Sequence, residues 1–312
     1  MGRQIDTWCL IGVCSLLLLQ GCKTNTAADV PARVPFEVLD AGQEPRALLR
    51  YSIEDGTTTT ATTKFIVSSE AKGETTVAMS GLRSLEIKTV LGPARNREHE
   101  ILYDYEITHA NAVVASGASR EARQEIERGA ASLKGAGAAA SINDRGRFLS
   151  SSMNERAMGV PVRALLAIIN TELALSQIVL PEDEVGVGAR WIVRNEILVY
   201  GFQMEQDLIY TLVERTDHDH VVVDVAFERS GRPQVVELSD GTTSVEVQAS
   251  RTSGTGRIDL DLRSFRSSAR AAGRVTDKAV IVKDGKREKR EINEDFEIRV
   301  DTTSRLVGTS GE

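Results

Sequence analysis

Cysteine is missing from almost the whole chain. Cys9, Cys14 and Cys22 all fall within the first 22 of 312 residues. Disulfides and thiolate metal sites are thereby excluded from everything after Cys22. Aromatic residues make up 4% and histidines number four. With 25 Gly and 7 Pro the chain is not collagen-like. The basic excess that phosphate neutralisation requires is also absent. Asp and Glu number 45 against 38 Lys and Arg, a net charge of -7, so nucleic acid is not an expected partner. What is present is a 41% hydrophobic fraction, enough to close a core and to exclude broad disorder. A chain of this length suits one large domain or two smaller ones.

The N-terminus carries an address. Met1 to Asp6 is a short polar start with Arg3, and Thr7 to Leu19 is almost wholly apolar, ending in four leucines. This run is too short to span a bilayer well and suits a signal-peptide core. It closes with Leu19-Gln20-Gly21-Cys22, and Lys23-Thr24-Asn25-Thr26 turns polar at once. The closing tetrapeptide resembles the lipobox of bacterial lipoproteins: Leu, a small residue, Gly or Ala, then Cys. Gln20 stands where the small residue is usual. The resemblance implies a signal peptide over 1–21, cleavage before Cys22, acylation of Cys22 and a lipidated tether over 22–44. Several acyl chains hold a protein to a membrane almost irreversibly. Within the resemblance, Lys23 rather than Asp after Cys22 implies lipid anchoring in the outer membrane of the cell envelope, facing the periplasm.

The mature body reads as β. Few apolar positions recur between Lys23 and Gln43, but Leu48, Leu49, Tyr51 and Ile53 lead into Asp55-Gly56, a hairpin turn signal. Thr57 to Thr63 and Phe65 to Val67 predict a strand, because β-branched residues suit a pleated surface. Leu85, Ile87 and Thr89 alternate with Glu86 and Lys88, and Tyr103, Tyr105 and Ile107 with Asp104, Glu106 and Thr108. Each set gives one wet face and one dry face. Ser119 to Leu133 predicts a polar helix ended by Gly135-Ala136-Gly137, and Asp144-Arg145-Gly146 a hairpin turn. Pro161 then opens the most apolar segment and Pro181 stops it. Val162, Leu165, Leu166, Ile168, Ile169, Leu173, Leu175 and Ile178 predict a helix over 161–178 that is buried on most sides. Strands follow at Trp191–Tyr200, Phe202–Val213, Val221–Phe227, Val235–Leu238, Val245–Ala249, Ile258–Leu262, Ala279–Val282 and Ile292–Val300. Frequent strands with Gly turns imply antiparallel hairpins.

The predicted class is β-rich α+β: a curved antiparallel sheet, or one or two half-barrels, packed around a central apolar helix. The body spans 45–310, as one unit or as two lobes, 45–155 and 182–310, joined by the helix. In architecture this is similar to periplasmic lipoprotein-carrier folds.

Chemistry-bearing clusters are few. Asp217-His218-Asp219-His220 has metal-ligand residue types, but in an extended segment the imidazoles point one way and the carboxylates the other, and the site before Val221 suits a solvated turn. His99 and His109 sit in charged, strand-like surroundings. Ser253-Gly254-Thr255-Gly256 lacks the Lys and helix start of a phosphate loop and reads as a turn or bulge. Ser150-Ser151-Ser152 has no nucleophile elbow, and Glu182-Asp183-Glu184 lacks the spacing of a Ca²⁺ loop. No catalysis, cofactor or metal is expected. Lys283, Lys286, Arg287, Lys289 and Arg290 flank Asp284-Gly285 as the strongest basic cluster, a solvated hairpin tip or a contact for anionic head groups or protein.

The expected function is that of a membrane-anchored, non-catalytic envelope lipoprotein that binds or carries an apolar ligand. Cys22 is then the lipidation site. Leu165, Leu166, Ile169 and Trp191 are candidate ligand-facing residues, with Trp191 a core anchor first. The alternative is a structural or assembly lipoprotein that binds an envelope protein. A carrier needs an apolar cavity, whereas a scaffold can be fully packed.

Overall fold

The computed structural model describes residues 36–68, 82–153, 178–199, 202–217, 219–237, 243–265, 267–283 and 285–306. In chain order these form β1 (Phe36–Asp40), β2 (Thr57–Ser68), β3 (Leu82–Leu91), β4 (Arg95–Arg97), β5 (Glu100–Val114), α1 (Arg120–Ser132), β6 (Gly137–Asn143), β7 (Phe148–Met153), β8 (Arg190–Val199) and β9 (Phe202–Arg215). They continue with β10 (His220–Gly231), β11 (Gln234–Glu237), β12 (Thr243–Asp261), β13 (Ser268–Lys283) and β14 (Lys286–Leu306). All fourteen strands join one open sheet in the order β1-β8-β9-β10-β12-β13-β14-β2-β3-β5-β6-β7, with β11 beside β12 and β4 beside β5. Every pairing is antiparallel, as hairpin-linked strands demand. The pairing of β14 with β2 carries the sheet without a break from the first half of the chain into the second.

One face of the sheet is turned inward along its whole width. In β10 the residues Val221, Val223, Val225 and Phe227 are buried, while Asp224 between them points out and meets Arg257. The same period-two pattern places Trp191 and Val193 of β8, Leu208, Tyr210 and Leu212 of β9, and Phe296, Ile298 and Val300 of β14 in a single apolar cluster. The outward residues form cross-strand ion pairs such as Arg274–Asp295 and Arg251–Glu228, which are exposed and individually worth little. A second cluster lies where Ala130 of α1, Leu133 and Ala136 cover Leu85, Ile87 and Ile107.

The lower end of the sheet is floored by loops. Leu49, Tyr51 and Ile53 stand in an irregular segment, not the strand pattern read into them, and are core residues. Tyr51 donates its backbone N–H to Asp144 and Ser52 donates to Leu262. Leu180 donates to Arg145, whose guanidinium lies 5.2 Å over the Phe36 ring. This last contact brings the β6–β7 turn beside the start of β1, so the two sheet edges approach each other there.

Several elements differ from the sequence expectations. Phe36–Asp40, inside the stretch read as tether, pairs with β8. The stretch read as two strands around a Ser253–Gly256 turn is one 19-residue strand, β12. Its glycines are there for contact. Phe227, Gly254, Gly273 and Phe296 stand directly opposite one another across β10, β12, β13 and β14. A Cβ on Gly254 would come within 2.4 Å of the Phe227 ring and 2.3 Å of the Ala272 carbonyl. The rings occupy the space that side chains on Gly254 and Gly273 would fill, an aromatic cover for strand glycine. The helix expected over 161–178 lies outside the described residues, apart from Ile178. Among the described helices none is long and apolar enough to cross a membrane.

Candidate functional site

The inner face changes character along the strands. Its lower half is fully packed. Trp191 and Tyr210 stack with ring centroids 5.5 Å apart, and Tyr103 meets Phe265 at 4.4 Å. The indole N–H of Trp191 donates to the Val179 carbonyl at 3.0 Å, and the Tyr51 hydroxyl donates to Ile178 at 3.3 Å. Burial pushes both the Tyr51 and Tyr210 phenols well above the usual tyrosine range, so they remain neutral donors. Trp191 is thus placed as a core anchor with its one donor satisfied.

The upper half carries polar groups on the same inward face. Directly above Val193, Leu208 and Phe227 stand Asn195, Gln206 and Arg229, opposite one another on β8, β9 and β10. Gln206 donates to Asn195 Oδ1 at 3.0 Å, and Arg229 Nε donates to Gln206 Oε1 at 2.6 Å. Gln206 is 1% exposed and Arg229 3%. The Arg229 guanidinium also lies 5.9 Å from the Phe227 ring centroid. A charge this deep is tolerated when hydrogen bonds and a ring face replace its water. One row higher, Met204 faces Gly231, which stands opposite Ser250 and then Asp277. The Ser250 hydroxyl donates to Asp277 Oδ1 at 2.6 Å. Burial pushes the Asp277 carboxyl up, against the pull of that hydrogen bond. The upper half therefore combines apolar residues, amide, hydroxyl, carboxyl and one guanidinium on one buried face.

This band is the candidate site absent from the sequence reading, although the signal is present. Continuing the alternation from Val221, Val223, Val225 and Phe227 lands on Arg229, and from Tyr210 and Leu208 on Gln206. A polar residue that falls on the buried phase of a strand is the informative exception.

The other candidates resolve into local structure. Asp217 Oδ1 accepts the backbone N–H groups of Asp219 and His220, which close the turn and hold its carboxyl below the usual range. His220 Nε2 lies 2.5 Å from Asp259 Oδ1, and His218 lies outside the described residues. Among the described residues no group of three or more His, Asp, Glu or Cys side chains can hold a metal ion. His99 and His109 are exposed. Ser150 in β7 shares a hydroxyl contact with Ser141 at 2.7 Å, and Glu182 pairs with Arg145. The basic cluster is where expected, at the β13–β14 turn. Cys22, Leu165, Leu166 and Ile169 lie outside the described residues. No protein-family model matches the chain, and no curated protein matches it.

Proposed function

We propose that the protein is a membrane-anchored, non-catalytic envelope lipoprotein whose inner sheet face holds an apolar ligand with a polar end. The observation that carries this reading is the division of the inner face. Below Phe227 it is closed by stacked rings and a loop floor; above Phe227 a buried guanidinium and amide stand among Met204, Gly231 and Thr252. The arrangement offers a dry seat for chains and a fixed donor for a head. The lipobox-like Leu19–Cys22 supports acylation at Cys22, and Lys23 supports the outer membrane facing the periplasm.

The helix over 161–178 belongs to the same proposal. The described residues on either side of it are Met153, at the end of β7, and Ile178, 0% exposed, in the floor. Placed against the inner face, it presents Leu165, Leu166 and Ile169 to the ligand.

A second reading has one observation in its favour. β7 ends the strand order, and Phe148 and Leu149 on it are 45% and 38% exposed. Such an edge suits an added strand from an envelope protein, as a scaffold lipoprotein would use.

Two experiments test the proposal. Metabolic labelling with a tagged fatty acid marks the wild type and not Cys22→Ser; equal label in both overturns the anchor. Lipid extraction of the purified chain yields a bound species that Leu166→Trp depletes while the fold persists. No bound species in the wild type favours the scaffold.

A further inference from the structure

Three separate parts of the chain point to the upper end of the sheet. The first is the entry point. β1 runs downward, antiparallel to β8, and Phe36 stands in the row of Val193, Leu208 and Phe227. Whatever precedes Phe36 therefore reaches the sheet from its upper side.

The second is the β13–β14 ribbon, which runs past β10 and β2 together with β12, paired with β13 up to Thr243 opposite Lys283. β10 leaves β12 at Gly231, opposite Ser250, and β2 leaves β14 at Ser68, opposite Asp295. β13 and β14 stay paired beyond both, up to Lys283 opposite Lys286. From Lys278 to Glu291 the sequence holds six Lys or Arg and three Asp or Glu, within a chain of net charge -7. Arg287 forks onto Glu246 and Lys278 meets Glu291 at 3.2 Å. Lys286 and Lys289 are exposed and make no ion pair among the described residues. Their register positions fall on opposite faces of the ribbon, opposite Lys283 and Val280 respectively. The ribbon is therefore basic around its tip, not on one side.

The third is the β8–β9 hairpin. Its pairing closes at Val199 opposite Phe202, at the same end, and the sequence Ile197 to Phe202 contains no charge and two aromatic residues. Aromatic and apolar residue types together with basic ones are those found at the boundary between headgroups and chains; here β10 and β12 stand between the two hairpins.

We propose that the upper end of the sheet is the membrane-facing surface, with the β13–β14 tip lying on anionic phospholipid headgroups of the bilayer that holds the acyl chains of Cys22. This rests on the lipidation reading above. The tether length supports it. Thirteen residues separate Cys22 from Phe36, a reach of roughly 48 Å when fully drawn out. The ribbon rises ten residues from Gly273, in the row of Phe36, to Lys283, or about 33 Å. Reaching the level of the tip thus takes about two thirds of that maximum reach. Slack beyond the tip is at most about 15 Å, within two Debye lengths at physiological salt, where headgroup charge is still felt. The acidic remainder of the molecule is repelled by the same surface, which orients the body tip-down.

The test uses the full chain reconstituted through its own N-terminus into vesicles bearing a headgroup quencher. Val235, exposed on β11 beside the ribbon, becomes Val235→Cys for a fluorophore; Asp183→Cys, in the floor, is the distant site. If Cys22 is acylated and first in the mature chain, the wild type offers no thiol to the dye. Reactive thiols in the wild type would overturn the lipidation reading itself, independently of any quenching. With phosphatidylglycerol present, the label at 235 is quenched and that at 183 is not. The quenching disappears in phosphatidylcholine alone, at high salt, and with Lys286→Glu plus Lys289→Glu. Lys64→Glu plus Lys88→Glu, an equal change of charge on exposed residues of β2 and β3, leaves it intact. Equal quenching at both sites, or none at 235 in a chain whose Cys22 does not react with the dye, overturns the proposal.

Discussion

The floor of the sheet and the upper half of its inner face are built from the same strands, yet they are finished differently. At the floor, loop carbonyls of Ile178, Val179 and Leu180 accept from Tyr51, Trp191 and Arg145, so these three donors are met by irregular backbone. In the upper half the strands satisfy one another, through Asn195, Gln206 and Arg229 in a row. The first arrangement leaves little for a ligand to replace. The second keeps polar groups on an inward wall, where their hydrogen bonds can be shared with a bound molecule. The change comes at Phe227 and Phe296, whose rings cover Gly254 and Gly273.

The comparison can be broken most forcefully from below. Trp191→Ala removes a fully buried ring and leaves the Val179 carbonyl without its donor; a loss of about 3–5 kcal/mol is expected in denaturant unfolding. A loss under about 1 kcal/mol would show that the floor is not close-packed. At the boundary, Gly254→Val forces a side chain into the Phe227 ring and the Ala272 carbonyl, at a cost of about 1–3 kcal/mol. Pairing it with Phe227→Ala should recover part of that loss in a double-mutant cycle, because the ring is half of the clash. In the upper half, Gln206→Leu strands Arg229 Nε and Asn195 at once, costing about 1–3 kcal/mol. It should also lower the amount of co-purified ligand, which Trp191→Phe should not.

The smallest effect concerns pH. The Asp277 carboxyl is pushed up by burial, so its ionised form opposes folding. That penalty grows as pH rises above the ordinary aspartate value and is complete above the raised folded value. Asp277→Asn, which keeps an acceptor for Ser250, is therefore expected to raise the melting temperature slightly at neutral pH. The gain should vanish on acidification through that range. An unchanged difference at low pH would place its cause elsewhere.

Much of the fold is legible in the sequence because its strands have one wet face. The alternations at Leu85–Thr89 and Tyr103–Thr108 name the inner residues of β3 and β5, and Asp144–Gly146 marks the β6–β7 turn, with Gly146 at a φ of 79°. Where signals failed, tertiary contact had overruled local chemistry. Gly254 and Gly256 look like a turn until Phe227 is laid across them from the next strand. Leu49, Tyr51 and Ile53 alternate like a strand but alternate against a floor, where Tyr51 donates its backbone N–H to Asp144 and the Ile53 carbonyl accepts from Asn96. Phe36–Asp40 has too few residues to stand out beside prolines. The candidate site was legible only as phase: Gln206 and Arg229 carry no motif, and their interest lies in sitting where a buried apolar residue was due.

On the proposed function, the upper half of the inner face, and not the floor, receives an apolar ligand. Feeding cells a fatty acid that carries a photoreactive group, irradiating, and mapping adducts on the purified chain tests it directly. Adducts are expected on peptides of β8, β9, β10 and β12 that contain Met204, Gln206, Arg229 or Thr252. An absence of adducts on these strands, or adducts confined to Trp191, Tyr210 and Leu260 in the floor half, would contradict it.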